Sequence, residues 1–438
     1  MRLRSFAARL TVIVLLAFAG RCAYVLAVTQ HQPDPDMTSP RTGTVRSFDE
    51  LYYQNGAERL SRGEGFKNPL LGPPDQEAAY HPPMPSLVLA PVAWLTDGSA
   101  LAMRLTMALA GAGVVAVIGL IGREAAGTRA GLVAAGTAAV YPNLWMNDGI
   151  LLSETLATLG VAGTVLFAYR LLRRGSWVDG AAAGVWCGVG MLSRPESALL
   201  LPLLLIPVAL RVQPRDAKRR LLLCGVAIAA TVITVAPWSA YNLSRFDKPV
   251  LISYGDGDSL IGANCRNSYR GPLFGLHDGT CGLGRGDSPE PSVKAAEKRS
   301  IGLRYMRGHL DRVPVVMAAR VGRMWGVYRP FQMISLAQTE GRPRWASTTG
   351  WAMSFGLVGA AVFGARALRQ TRRSLIPLLA PLVVVTLTAA SFFGLMRFRA
   401  PAEPSIVVLA AVGVEALLVA RTARRARAPS LTPSSCRA

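Results

Sequence analysis

A carboxylate pair, Asp49-Glu50, sits in the polar stretch from Ser47 to Pro85, between one long apolar run and a series of others. The stretch also carries Tyr52-Tyr53 and closes on Tyr80-His81-Pro82-Pro83-Met84-Pro85. An ionised carboxylate at a membrane surface is equipped to act as a general base. Ser47 and Glu50 fit the S-x-x-E capping box, which predicts a helix start. Tyr53, Ala57 and Leu60 follow at i, i+4 and i+7, giving that helix one apolar face, and Gly63 and Gly65 mark its stop. Such a helix would lie on the membrane, with Asp49 in the first turn, where the helix dipole favours the charged form. The dipole also offers a plainer reading, in which both acids simply stabilise the helix terminus, and this weighs more on Glu50 than on Asp49.

Further polar groups interrupt the apolar pattern at span ends. Glu154 lies within the run Ile150–Leu159, flanked by Ser153 and Thr155, and Asp148 precedes it. A carboxylate there must face a cavity or a partner. Arg194 stands in the turn Arg194-Pro195-Glu196, where it can either clamp a phosphate or neutralise Glu154 or Glu196. Arg397 and Arg399, in Arg397-Phe398-Arg399-Ala400-Pro401-Ala402-Glu403-Pro404, fall at the outer end of the last span, against the positive-inside rule. Paired arginines at headgroup depth suit a lipid-linked phosphate, with interfacial anchoring as the alternative. His81 is a ligand, a proton handler or a loop hydrogen-bonder. Asp49, His81, Glu154, Arg194, Arg397 and Arg399 are thus expected on one side of the membrane.

The elements that must position them are membrane helices. The chain has 438 residues, 51% of them hydrophobic and gathered in blocks, the pattern of a polytopic membrane protein. A net charge of +22 would suggest nucleic acid on a soluble surface. Here the arginines cluster at the ends of apolar runs and no basic stripe is interleaved with aromatics, so nucleic acid is excluded as partner. Met1–Val28 resembles a signal peptide, but its long apolar region and the spans that follow predict an uncleaved first span. The others are expected near 99–122, 128–142, 148–171, 178–193, 196–210, 220–240, 349–368, 374–393 and 402–420, ten in all. Arginine clusters alternate across them, placing both termini in the cytoplasm. That alternation holds only if residues 84–95 do not cross. Twelve residues of helix reach only about 18 Å against a core of about 30 Å. The predicted organisation is a membrane module over 1–240 containing an external loop at 29–98, a second external region at 241–348, closing spans over 349–420, and a basic cytoplasmic tail at 421–438. Residues 312–330 read as one further surface helix with an arginine face.

Cys22, Cys187 and Cys224 lie inside apolar runs, and Cys436 lies in the tail. Cys265 and Cys281 share one polar loop on the external side, an oxidising compartment, and are expected to pair. No CxxC or His-rich metal spacing exists.

With these residues in place, a family resemblance emerges. Asp49-Glu50 followed by Tyr53, Ala57 and Gly63 resembles the first external loop of GT-C glycosyltransferases, in particular the glycosyltransferase 39 group of protein O-mannosyltransferases and lipid A aminoarabinose transferases. His81-Pro82-Pro83 is similar to the His-Pro-Pro that opens their second surface helix. Leu152-Ser153-Glu154, the segment Gly188 to Arg194, and Ala236-Pro237-Trp238 with Asn242 resemble later family segments. The resemblance covers roughly residues 5–250 and the Arg397–Pro404 motif. It implies an all-α bundle of about ten spans with surface helices on its external loops, and a plasma-membrane enzyme with its site outside. It implies transfer of a monosaccharide from a polyprenyl-phosphate donor to a hydroxyl of an envelope glycan, lipid or protein, by inverting single displacement. Asp49 would be the base, with Glu50 and Glu154 beside it and Tyr53 and His81 in the cavity. Arg194, Arg397 and Arg399 would hold the donor phosphate. No nucleotide sugar, cofactor or metal is expected, although Asp49, His81 and Glu154 could converge on a divalent ion. A lipid or sugar transporter is the rival reading, but it leaves the acids of the long external loop without a role, and no internal repeat is evident. A non-catalytic scaffold would predict no convergence of these acids and arginines.

Overall fold

In a computed structural model of the chain, residues 5–29, 47–70, 73–213 and 216–427 are described. Among them the regular structure is helical, apart from one isolated antiparallel bridge between Lys67 and Glu77. The helices are α1 (Phe6–Tyr24), α2 (Phe48–Ser61), α3 (Met84–Leu95), α4 (Ala100–Ala126), α5 (Thr128–Val140), α6 (Pro142–Trp145), α7 (Glu154–Arg174), α8 (Trp177–Ser193), α9 (Ile206–Ala209) and α10 (Ala217–Leu243). They continue as α11 (Asp256–Ala263), α12 (Arg266–Tyr269), α13 (Pro291–Arg307), α14 (Val313–Met324), α15 (Pro330–Thr339), α16 (Arg344–Gln370), α17 (Ile376–Ser391) and α18 (Glu403–Arg427).

Six of these segments are long and apolar enough to cross a bilayer: Phe6–Thr29, α4, α7, α10, α16 and Met396–Val419. The other expected spans are helices too short to do so upright: α5, α8, α17 and the Pro195–Ala209 segment. That last segment is broken into 3₁₀, π and α pieces. Pro195, Pro202 and Pro207 are the cause, because each removes a backbone donor. Several span boundaries move by a few residues, including the start of α16 at Arg344 and the end of α18 at Arg427. The fourth span begins at Glu154 rather than at Asp148, because residues 146–153 form turns below it.

The surface helix expected at 312–330 is present as α14 but ends at Met324. Gly326 (φ +71°) and Arg329 (φ +48°) turn the chain between α14 and α15. Two of the α14 arginines turn inward. Arg320 donates to the carbonyl of Ala390 and to Asn264, and Arg323 donates to the carbonyls of Phe274 and Pro272. These guanidiniums satisfy backbone acceptors that the irregular loops leave open. The basic tail beyond Arg427, with Cys436, lies outside the described residues, as does the 30–46 part of the first external loop.

Two fastenings order the loop segments between the helices. Arg245, at the end of α10, donates to Glu77 at 2.6 Å, to the carbonyls of Phe66 and Ala78, and to Asn242, while stacking on Tyr241 at 4.1 Å. It therefore pins the 66–78 turn to a spanning helix. Cys265 and Cys281 are joined by a disulfide, with Cα atoms 6.4 Å apart. In the chain-entropy picture a closed loop of this size adds about 3 kcal/mol. Peptide mapping of the envelope-expressed protein without reduction should recover the 265–281 crosslink. Recovery of both thiols alkylated would remove the bridge and the oxidising location it implies.

Candidate active site

The first external loop folds as its sequence directs. Ser47 is extended, and its Oγ accepts the Glu50 N–H at 3.2 Å, so half of the capping box forms. The reciprocal half does not, because the Glu50 side chain turns inward. It accepts from Arg104 at 3.1 Å and is buried. Arg104 also donates to the Thr29 carbonyl, tying α4 to the end of the first span. Glu50 is therefore paired inside the fold with Arg104, apart from the side of the helix where Asp49 lies.

On the other side of the first turn, Asp49 faces the site. Arg397 donates to its Oδ2 at 2.7 Å, and His81 Nε2 lies 3.2 Å from Oδ1. A quarter of the Asp49 side chain remains open. Burial alone would raise the Asp49 carboxyl, but Arg397 and His81 outweigh it and hold the group well below the usual carboxylate range.

His81 is gripped by the rings of Tyr52, Tyr53 and Tyr80 at 4.8–5.3 Å. Tyr53 is buried against Ser153, and burial with the nearby Asp49 and Glu154 charges raises its phenol. It therefore serves as a neutral wall. Backbone contacts fix this arrangement. The Tyr80 N–H donates to the Tyr52 hydroxyl, and Ser86 donates to the Tyr53 carbonyl where α3 crosses α2.

Arg397 is the hub. Besides Asp49, it meets Glu154 at 3.3 Å and Glu340 at 3.2 Å. Glu154, at the first position of α7, also accepts from Arg194 at 3.2 Å, and Arg194 holds Glu196 at 2.5 Å. Glu154 Oε2 is buried without a hydrogen-bond partner among the described residues. Asp49, His81, Glu154, Arg194 and Arg397 thus form one connected cluster of alternating charge.

Arg399 does not join it. Its guanidinium is buried on Glu403 at 2.6 Å, and Tyr141 and Asn143 complete that separate network. The i, i+4 spacing within one helical segment makes the pairing local. Asp148 is likewise internal, held by Arg21 at 2.6 Å and by Thr155. Its carboxylate packs so closely on Gly111 that a Cβ there would collide with it. The one group of three metal-ligand side chains within reach of each other, among the described residues, is Cys265, Asp278 and Cys281, and its cysteines are disulfide-bonded. His81 and Glu154 approach Asp49 only pairwise, the second through Arg397, so the residues do not form a metal cage.

Glu340 and Arg342, which close the loop after α15, were not singled out by the sequence. They line a narrow cleft together with Asn143, Asn147, Met333 and Arg397. Their stretch, Thr339-Glu340-Gly341-Arg342-Pro343, reads as a plain polar connection, and no local signal would have found them.

Residues 80–240 match the family model described as dolichyl-phosphate-mannose-protein mannosyltransferase. That is less than half of the chain. No curated protein sequence matches it. Among solved structures, the chain is similar to the oligosaccharyltransferase of Archaeoglobus fulgidus tethered to an acceptor peptide, with TM-score 0.56 at 14% identity, covering 97% of this chain and 51% of that one. A complex of the Archaeoglobus fulgidus oligosaccharyltransferase AglB with an inhibitory peptide and dolichol-phosphate gives TM-score 0.54 at 15% identity, over 96% and 51%. The fold is of the GT-C type. ArnT from Cupriavidus metallidurans bound to undecaprenyl phosphate also aligns, at TM-score 0.40 and 14% identity, over 96% of this chain and 81% of that one. The chain spans about half the length of the archaeal enzyme, and at such identities the likeness is one of fold. The expectation of an all-α polytopic membrane protein with a GT-C bundle is borne out.

Proposed function

We propose that the protein is a glycosyltransferase that moves a monosaccharide from a polyprenyl-phosphate donor to an acceptor hydroxyl at the external membrane face. The observation that carries this is the shared guanidinium of Arg397, which brings Asp49, on the first loop, to Glu154 at the head of α7. A scaffold has no use for that convergence. The donor's lipid would run between the helices, its phosphate meeting Arg397 and Arg194. A phosphate that draws Arg397 away would loosen its hold on Asp49 and restore basicity to the carboxylate. Asp49 then takes the acceptor proton as the hydroxyl oxygen bonds to the anomeric carbon. The anomeric carbon–oxygen bond to phosphate breaks, and the departing polyprenyl phosphate takes the electron pair. A phosphate is a good enough leaving group to need no strong general acid, while the arginines stabilise its added charge. Backside attack inverts the anomeric centre. The family description and the lipid phosphates of the matched complexes support this donor class. The disulfide supports the external location. An envelope glycan, a lipid or a protein could supply the hydroxyl.

The test is turnover. Purified protein in lipid nanodiscs, given a polyprenyl-phosphate mannose and an envelope extract, should release polyprenyl phosphate and transfer labelled sugar. Comparison of envelope glycans with and without the gene identifies the sugar and acceptor. Unaltered glycans, with transport of intact donor across the bilayer, would move the assignment to a flippase.

A further inference from the structure

The arginine hub is already occupied by an anion of the protein's own. Glu340 places one carboxylate oxygen 2.5 Å from Arg342 Nη1 and the other 3.2 Å from Arg397 Nε. Two guanidiniums bridged by the two oxygens of one anion is the arrangement that a phosphate's non-bridging oxygens would also satisfy. Arg342 is buried, and Asn147 Oδ1 accepts from its Nε at 3.1 Å and its Nη2 at 3.0 Å. That bond fixes the guanidinium plane and leaves Nη1 for the anion. The contact on the other side is loose, because Arg397 Nε has no aligned hydrogen-bond partner among the described residues.

Four carboxylates surround the arginines, and only one is mounted to leave. Glu154 is rooted at the head of a spanning helix beneath two guanidiniums, and Glu196 belongs to Arg194. Asp49 stays as base. Glu340 caps the ten-residue helix α15, and Gly341 follows it at φ +82°, in a short connection to α16. The cleft beside it is open to the same atoms. An incoming phosphate would add negative charge to a centre where Asp49, Glu154 and Glu340 already meet one arginine. One of the three has to withdraw.

We infer that Glu340 fills, from inside the protein, an anion subsite made by Arg397 and Arg342, and that a donor phosphate enters by displacing it. This rests on the proposed transferase reading and adds Arg342 and Glu340 to it. The subsite takes a phosphate ester, of either a polyprenyl chain or a bilayer lipid. Donor affinity is then reduced by the fraction of molecules in which Glu340 is seated.

The experiment measures undecaprenyl phosphate binding to full-length protein in phosphatidylcholine nanodiscs, with phosphatidylglycerol substituted as a second probe. Glu340→Gln keeps the side-chain shape and removes the competing charge, so it should tighten undecaprenyl phosphate binding by about tenfold, the equivalent of 1.4 kcal/mol. Arg342→Gln should weaken it by a similar factor. If Glu340→Gln does not purify as folded protein, Glu340→Ala provides the same reading. Unchanged or weaker binding by the folded Glu340 variant, with wild type binding and Arg397→Gln failing to bind, overturns the displacement and leaves the transferase reading standing. Equal gains for phosphatidylglycerol would assign the subsite to bilayer phosphate and overturn the donor's part in it. No binding of either probe by wild type or by the Glu340 variants overturns both readings.

Discussion

Asp49→Asn should lose about 10²–10⁴-fold in transfer rate while folding as before. Asparagine keeps the shape of the side chain and can still accept from Arg397, which also remains paired with Glu154 and Glu340. Arg397 is not stranded, because Glu154 and Glu340 remain against it. What disappears is the one carboxylate placed to receive a proton from the aqueous side. The same assignment fixes a pH signature. In donor-free protein Arg397 and His81 hold the Asp49 carboxyl well below its ordinary range, so the acid limb of kcat/KM should lie below that range. Once the donor phosphate engages Arg397, the carboxyl rises, and the acid limb of kcat should lie higher. A purified Asn variant turning over near the wild-type rate, in nanodiscs with the labelled donor, would take the base away from Asp49.

Part of this site was legible because polar groups are conspicuous in an apolar text. Asp49, His81, Glu154, Arg194 and Arg397 each interrupt a hydrophobic pattern near the outer end of a span, and the topology rule puts those ends together. The cap at Ser47 and the stop at Gly63 were readable from local chemistry alone, since neither depends on distant contacts. Two roles were not readable at this level. The Asp-Glu dipeptide offered two carboxylates, and only a structure shows that successive residues of a helix point about 100° apart, Asp49 to Arg397 and Glu50 to Arg104. A signal for the second existed, since Arg104 sits inside the expected 99–122 span and an intramembrane arginine demands a partner. Arg21, inside the first span, demanded one in the same way and has Asp148.

Other parts carried no sequence signal. Glu340 and Arg342 reach the site because α15 folds back on the 396–402 segment, a long-range packing outcome with no periodicity to announce it. The helix expected over 312–330 stops short, at Met324, before the turn at Gly326 and Arg329. The carbonyls of 263, 272, 274 and 390 take the guanidiniums of Arg320 and Arg323 inward. In a membrane protein an unsatisfied carbonyl is a stronger claim on a guanidinium than an interface already rich in water.

Arg399→Ala should behave as a folding mutation rather than a donor-binding one. Arg399 and Arg397 are two residues apart and were indistinguishable by charge and topology, yet they face different networks. Arg399 is 3% exposed and pairs with Glu403, which is 1% exposed, with Tyr141 and Asn143 closing the shell. Truncation would leave the Glu403 carboxylate buried with only a phenol and an amide against it. Stranding one member of a buried pair costs about 3–5 kcal/mol. Thermal unfolding in detergent should show that loss as a lower midpoint and a lower yield of monodisperse protein, while the folded fraction keeps wild-type affinity for undecaprenyl phosphate. Arg397→Gln should differ in its binding readout, with weak donor binding in the fraction that folds. A rescue separates the two further. Replacing both partners, Arg399→Leu with Glu403→Leu, removes the stranded charge and should recover most of the lost stability, because apolar substitutes for a buried ion pair are often neutral or better. An Arg399→Ala protein with an unchanged midpoint and weakened donor binding would return Arg399 to the phosphate subsite.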